Sequence, residues 1–177
     1  EKARIGRIYS VSTRFSYPLF EESFMILVGQ EFPKFKCHAN VGPNAESLTT
    51  ITNESAKGKW SVFVFYPKDF TFICPTELVD FNKRLKDFSD RDAVVYGAST
   101  DNEYSHLAWC QQHEGLKQLK YPLLAAQRLS RDLGILDPNE DVCLRVTYIV
   151  DPNNVVQWVC MNALSVGRNT DEVLRVL

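Results

Sequence analysis

The sequence predicts an α/β fold with a central mixed sheet flanked by helices. Three observations carry the prediction. Apolar, β-branched runs alternate with amphipathic helical segments through the middle of the chain. Two late apolar runs are joined by Asp151-Pro152-Asn153-Asn154, a strong turn signal. A last helical segment closes the chain, and a strand–helix alternation followed by a hairpin and a helix is the pattern of a mixed sheet with helices packed on it.

The elements follow in order. Ser61-Val62-Phe63-Val64-Phe65-Tyr66 is a continuous apolar run and reads as a buried central strand. Leu78, Phe81, Leu85 and Phe88 recur at helical spacing, which predicts an amphipathic helix over 75–88 with Pro75 tolerated at its first position. Ala93 to Ser99 is a second buried strand. Thr100 or Asp101 can cap a helix that runs to about His113, with Gly115 as its stop signal. Tyr121 to Leu124 reads as a short extended piece and Leu129 to Leu133 as a short helix. Leu144–Val150 and Val155–Cys160 flank the turn, and Asn169 or Thr170 starts the final helix over 171–177.

At 177 residues the chain is long enough for one well-buried domain. A net charge of -2 gives no reason to expect nucleic acid as a partner, and no apolar run is long enough to span a bilayer. Five cysteines, at 37, 74, 110, 143 and 160, are odd in number and scattered without a C-x-x-C pair. That usage fits a reducing, cytoplasmic setting better than a secreted disulfide scaffold. Residues 1–25, with Lys2, Arg4, Arg7 and Arg14 among serines and aromatics, lack the apolar core and cleavage site of a secretory signal. They are expected to be an N-terminal extension of separate origin, upstream of a domain over 26–177.

Cys74 is the candidate nucleophile. It lies where the 61–66 strand hands over to the following helix, a junction that offers free backbone N–H groups and the positive end of the helix dipole. Both favour a thiolate. Thr71, three residues earlier, can bring its hydroxyl near the sulfur by a single turn, and Pro67 can shield the sulfur from solvent. Arg145, opening a later strand, is the candidate cation, although spacing alone does not place it beside Cys74. A free cysteine is by default an ordinary core thiol; the strand-to-helix position, Pro75 and Thr71 argue against that reading here.

The segment Pro67-Lys68-Asp69-Phe70-Thr71-Phe72-Ile73-Cys74-Pro75-Thr76-Glu77 resembles the active-site motif of the peroxiredoxins. The longer string from Phe65 to Glu77 is similar to the alkyl hydroperoxide reductase C branch of the typical two-cysteine peroxiredoxins. Ser99 to Trp109, Arg145 to Pro152 and Val166 to Asn169 resemble further family segments in the same order. The resemblance implies a thioredoxin-like fold and a thiol-dependent peroxidase that reduces hydrogen peroxide and organic hydroperoxides. Cys74 would then be the peroxidatic cysteine, with Thr71, Arg145 and Pro67 around it and Glu77 and Arg168 supporting the arginine. It also implies a thiol or disulfide reductase as electron donor, no metal, flavin or haem cofactor, and a homodimer built through sheet edges that can assemble into a decamer. By the same token the 155–160 strand is expected to be a pairing edge.

Two departures accompany the resemblance. The family's resolving cysteine belongs in a tail beyond Leu177, and none of Cys37, Cys110, Cys143 and Cys160 matches its position. His113-Glu114-Gly115-Leu116-Lys117 departs from the Gly-Gly-Leu-Gly pattern of members prone to overoxidation, which suggests a robust enzyme. His106, Cys110 and His113 share one helical face, but three donors on one helix without a second cluster make a poor metal site. A thioredoxin-like disulfide oxidoreductase would need a second cysteine where Glu77 stands. A non-enzymatic holdase or redox-signalling partner is the other alternative.

Overall fold

The computed structural model describes residues 25–177, so all but Met25 of the expected N-terminal extension lies outside the described residues. The described residues form seven strands and five α-helices, with short 3-10 turns between them: β1 (Lys36–Asn40), β2 (Leu48–Thr52), β3 (Trp60–Phe65), α1 (Ile73–Lys83), α2 (Leu85–Ser89), β4 (Ala93–Ser99), α3 (Glu103–Gln112), β5 (Leu123–Ala125), α4 (Gln127–Asp132), β6 (Arg145–Val150), β7 (Val156–Asn162) and α5 (Thr170–Val176). The strands form one sheet in the order β2-β1-β5-β4-β3-β6-β7. β3, β4 and β5 run parallel, while β1, β2, β6 and β7 join antiparallel, so the sheet is mixed as expected.

β3 lies inside the sheet, between β4 and β6, and both of its faces are apolar. Val62, Val64 and Tyr66 enter one core with Leu78, Phe81, Phe88 and Trp109, under α1, α2, α3 and α5. Phe63 and Phe65 enter the other, where Phe63 stacks on Phe32 at 4.5 Å and on Tyr96 at 5.1 Å between ring centroids. Side chains alternate across a strand, so one continuous apolar run serves two cores.

The structure revises several expectations. The helix over 75–88 is two helices. The chain breaks at Arg84, which leaves the helical region (φ −98°, ψ 9°) while its side chain reaches Asp87 and Asp171. Phe81 and Phe88 still stack across the break at 5.7 Å. The α3 cap is Asn102, whose side chain accepts from Tyr104 N and Ser105 N; Asp101 is turned instead toward the Cys74 loop. Gly115 is not the stop of α3, which ends three residues earlier at Gln112 and leads to a 3-10 turn at Leu116–Gln118. The β1–β2 hairpin was not anticipated: β1 (Lys-Cys-His-Ala-Asn) carries too few apolar residues for its alternation to stand out. Asn169 does cap α5, accepting from Asp171 N.

Candidate functional site

Cys74 is the second residue of α1, in the turn whose backbone N–H groups have no intrahelical partners. Pro75 is therefore the third helical position rather than the first. β3 ends at Phe65, and residues 66–72 carry the chain from the sheet to this helix. Phe70 sits at the tip of that loop with φ +55°, a left-handed conformation that is uncommon and costly for a bulky residue. Its ring lies 6.1 Å from that of Trp109.

The antiparallel pairing of β3 with β6 decides what faces the sulfur. Val64 lies opposite Thr147, and the same register places Arg145 beside the point where the chain leaves β3. Arg145 Nη1 lies 3.5 Å from Cys74 Sγ and 2.7 Å from Glu77 Oε2, and Nε donates to the Leu164 carbonyl at 2.7 Å. Glu77, one turn along α1, also holds Arg168: Oε1 accepts from the Arg168 backbone N at 2.8 Å and from Nε at 3.0 Å, and Oε2 from Nη2 at 2.9 Å. Arg168 Nη1 continues to the carbonyls of Phe65 and Val146. All three charged groups are buried.

One carboxylate between two guanidinium groups leaves the cluster with an excess positive charge directed at the sulfur. Burial by itself would raise the Glu77 carboxyl. The hydrogen bonds and charge of Arg168, with the charge of Arg145, outweigh it and hold the group below its ordinary value.

Thr71 makes no hydrogen bond to Cys74; its hydroxyl donates to the Lys68 carbonyl at 3.0 Å. Pro67 is buried beside the start of the loop. Cys74 itself has no exposed surface. The other thiols differ from it in surroundings. Burial pushes Cys37 up to about 11 and Cys143 up to about 12, and burial together with the charge of Asp69 pushes Cys110 up to about 12. These three are ordinary protonated core thiols at neutral pH. Cys160 is half-buried on β7, and all five cysteines are free.

A second polar cluster, which the sequence did not reveal, lies behind the loop. Asp69 accepts from Tyr66 Oη at 2.9 Å and Ser105 Oγ at 2.9 Å, and its Oδ2 lies 2.8 Å from His106 Nδ1. His106 Nε2 faces the Leu124 carbonyl at 3.2 Å. Both ring nitrogens are thus engaged by protein acceptors, which removes His106 from the metal face considered above. The only sequence signal was the presence of Asp and His near the motif, and nothing in the spacing joins them.

Comparisons with known proteins bear on the family and the fold. The AhpC/TSA family model matches residues 28–159. The chain belongs to the AhpC/TSA family. It is 44% identical over 164 residues to the alkyl hydroperoxide reductase C of Mycolicibacterium smegmatis, covering 86% of this chain and 84% of that one. It is 43% identical over 157 residues to the mitochondrial thioredoxin-dependent peroxide reductase of Drosophila melanogaster, covering 86% of this chain and 66% of that one. The structure of Mycobacterium tuberculosis AhpC superimposes with a TM-score of 0.79 at 44% identity, covering 86% of this chain and 91% of the other. The expected peroxiredoxin membership, the thioredoxin-like fold and the enzyme class, a thiol-dependent peroxidase, stand with these matches.

Proposed function

We propose that Cys74 is the peroxidatic thiol and that it reduces hydrogen peroxide and small organic hydroperoxides. The observation that carries this reading is the Arg145 guanidinium 3.5 Å from the only cysteine in the first turn of a helix. The thiolate attacks the outer oxygen of the hydroperoxide in line with the O–O bond. An S–O bond forms and the O–O bond breaks. The attacked oxygen keeps its hydrogen and becomes the hydroxyl of a sulfenic acid; sulfur gives up two electrons, and the leaving alkoxide or hydroxide takes a proton from solvent.

The neighbouring groups have distinct parts in that step. The single hydroxyl proton of Thr71 is committed to the Lys68 carbonyl, so toward substrate Thr71 can only accept, which suits the O–H of the attacked oxygen. Arg145 Nη2 has no hydrogen-bond partner among the described residues and supplies a donor for the oxygen on which charge develops. The complete burial of Cys74 restricts access to small substrates or to moments when the 66–72 loop opens.

The sulfenic acid is reduced by a thiol, with a thiol or disulfide reductase as the ultimate donor; the name of the Drosophila relative supports a thioredoxin-type source. Five free thiols support a reducing, cytoplasmic compartment. We also assign β7 as a homodimer edge. It is one of the sheet's two edge strands and, at seven residues, longer than β2; beyond Val156, which bonds to Gly29 and Gln30, it carries no charged side chain of the kind that protects an open edge from pairing.

The test is to treat the reduced protein with one equivalent of hydrogen peroxide in the presence of dimedone and to locate the adduct by mass spectrometry. The adduct is expected on Cys74. A Cys74→Ser protein that consumed peroxide at the parent rate would remove the assignment.

A further inference from the structure

The buried cluster around His106 takes no part in the chemistry just described, yet it holds the loop that the chemistry depends on. His106 lies on α3 and is fully buried. Its Nε2 faces the Leu124 carbonyl of β5, a group that can only accept. Its Nδ1 lies 2.8 Å from Asp69 Oδ2, within hydrogen-bond distance. The ring thus spans the gap between β5 and the loop, with a polar partner at each nitrogen in a dry interior.

Asp69 is in turn fixed on every side. Tyr66 and Ser105 donate to its carboxylate, and its backbone N–H donates to Asp101 Oδ2 at 2.9 Å. Burial first, and then the charge of Asp69, raise Tyr66 well above its ordinary value, which keeps its hydroxyl a donor. The residue after Asp69 is Phe70, with its left-handed backbone. A conformation of that kind persists only where its surroundings hold it.

We propose that His106 is a positioning residue for Cys74. By bridging β5 to Asp69 it pins the strained Asp69–Phe70 turn and so keeps the 66–72 loop in the form that presents Cys74 to Arg145. This rests on the peroxidase reading of Cys74. The pin acts on loop geometry, not on the reacting atoms: with it loosened, Cys74 leaves Arg145 and becomes accessible. Peroxide reactivity and accessibility to reagents that need no guanidinium therefore move in opposite directions.

Two rates are measured on the same reduced protein. One is the second-order rate of Cys74 oxidation by hydrogen peroxide under competition. The other is alkylation of Cys74 by iodoacetamide, followed on the Cys74 peptide by mass spectrometry. The side chain of Gln can reach where Nε2 was and that of Asn where Nδ1 was. His106→Gln, which loses the Asp69 contact, is expected to slow peroxide oxidation about 10- to 100-fold, as misplacement of a reacting group by about 1 Å does. Its alkylation should speed up about tenfold as the loop opens. His106→Asn, which keeps the Asp69 contact, is expected to recover most of both rates, and Asp69→Asn to behave like His106→Gln.

Should His106→Gln not fold, as judged by circular dichroism, Asp69→Asn decides by the same pair of rates. Unchanged peroxide oxidation, or oxidation and alkylation that fall together, overturns the proposal. A parent protein that does not oxidise Cys74 at all overturns the peroxidase reading instead, so the two failures are distinct.

Discussion

Arg145 touches Cys74 and Glu77 with the same nitrogen: Nη1 lies 3.5 Å from the sulfur and 2.7 Å from Glu77 Oε2. The aim of the guanidinium at the thiol is therefore set by a carboxylate that itself makes no hydrogen bond to the sulfur. Glu77 is fixed in turn by three hydrogen bonds from Arg168. The Cys74 sulfur thus sits at the end of a chain of charged hydrogen bonds that runs back into the sheet through the Phe65 and Val146 carbonyls.

Replacing Arg145 by Lys keeps the charge and loses the fork that meets sulfur, Glu77 and the Leu164 carbonyl at once. Peroxide consumption by Arg145→Lys should fall by about 10²–10³, the usual cost of losing a positioned donor to developing charge. Steady-state peroxide consumption with a thiol donor measures it, and a rate within threefold (roughly) of the parent would contradict the role given to the fork.

Glu77→Gln removes the only carboxylate between two buried guanidinium groups. Breaking a buried pair from one side costs about 3–5 kcal/mol. The melting temperature should drop by roughly 6–20 °C for a chain of this size. Differential scanning calorimetry at neutral pH checks this, and a shift of less than about 2 °C would show that the cluster contributes little to stability.

The same carboxyl makes stability depend on pH. Its value is depressed in the folded protein, so its contribution is complete above the unfolded reference of 4.5 and is lost as pH falls below that toward the folded value. Urea unfolding between about pH 6 and 3 should show a decline in the parent that is shallower in Glu77→Gln. Parallel curves for the two proteins would count against the assignment.

Thr71→Ser keeps an acceptor and a donor for the Lys68 carbonyl, whereas Thr71→Val keeps neither. Ser should retain most of the peroxide rate and Val should lose about 10²-fold or more. Equal rates for the two proteins in a competition assay would exclude Thr71 as the acceptor of the peroxide O–H.

Gln157 and Met161 are exposed on the uncharged edge strand β7. Lys at both positions places like charges against their symmetry mates across a two-fold edge. Light scattering coupled to size exclusion should show a dimer or a multiple of it for the parent and monomer for Gln157→Lys/Met161→Lys. An unchanged mass would move the interface elsewhere.

The chemistry-bearing segment was legible because it is local. The β3 run, the junction, Cys74 and Thr71 lie within 17 residues, and their patterning reports directly on backbone state. The β3–β4 strands, the late hairpin and the Asn169 cap were readable for the same reason, since their apolar and turn residues match their local structure. The break at Arg84 was not, because it is stabilised by Asp171, far along the chain, and local helical spacing continues through it. The β1–β2 hairpin was missed because β1 is half polar and owes its place to pairing with β5 as well as β2.

By itself the sequence singled out the sulfur to which the proposed chemistry is assigned. Only Cys74 stands at a strand-to-helix junction, and that follows from hydrophobic period and proline placement over a dozen residues. Tertiary structure decided what the sulfur faces. Arg145, Arg168 and His106 lie 71, 94 and 32 residues from Cys74, and each is brought in by a strand register or a helix packing that exists only once the sheet has formed. A thiol position can be written in local propensity. The charge field around it is a sum over distant groups, and those distances are fixed by the folded backbone.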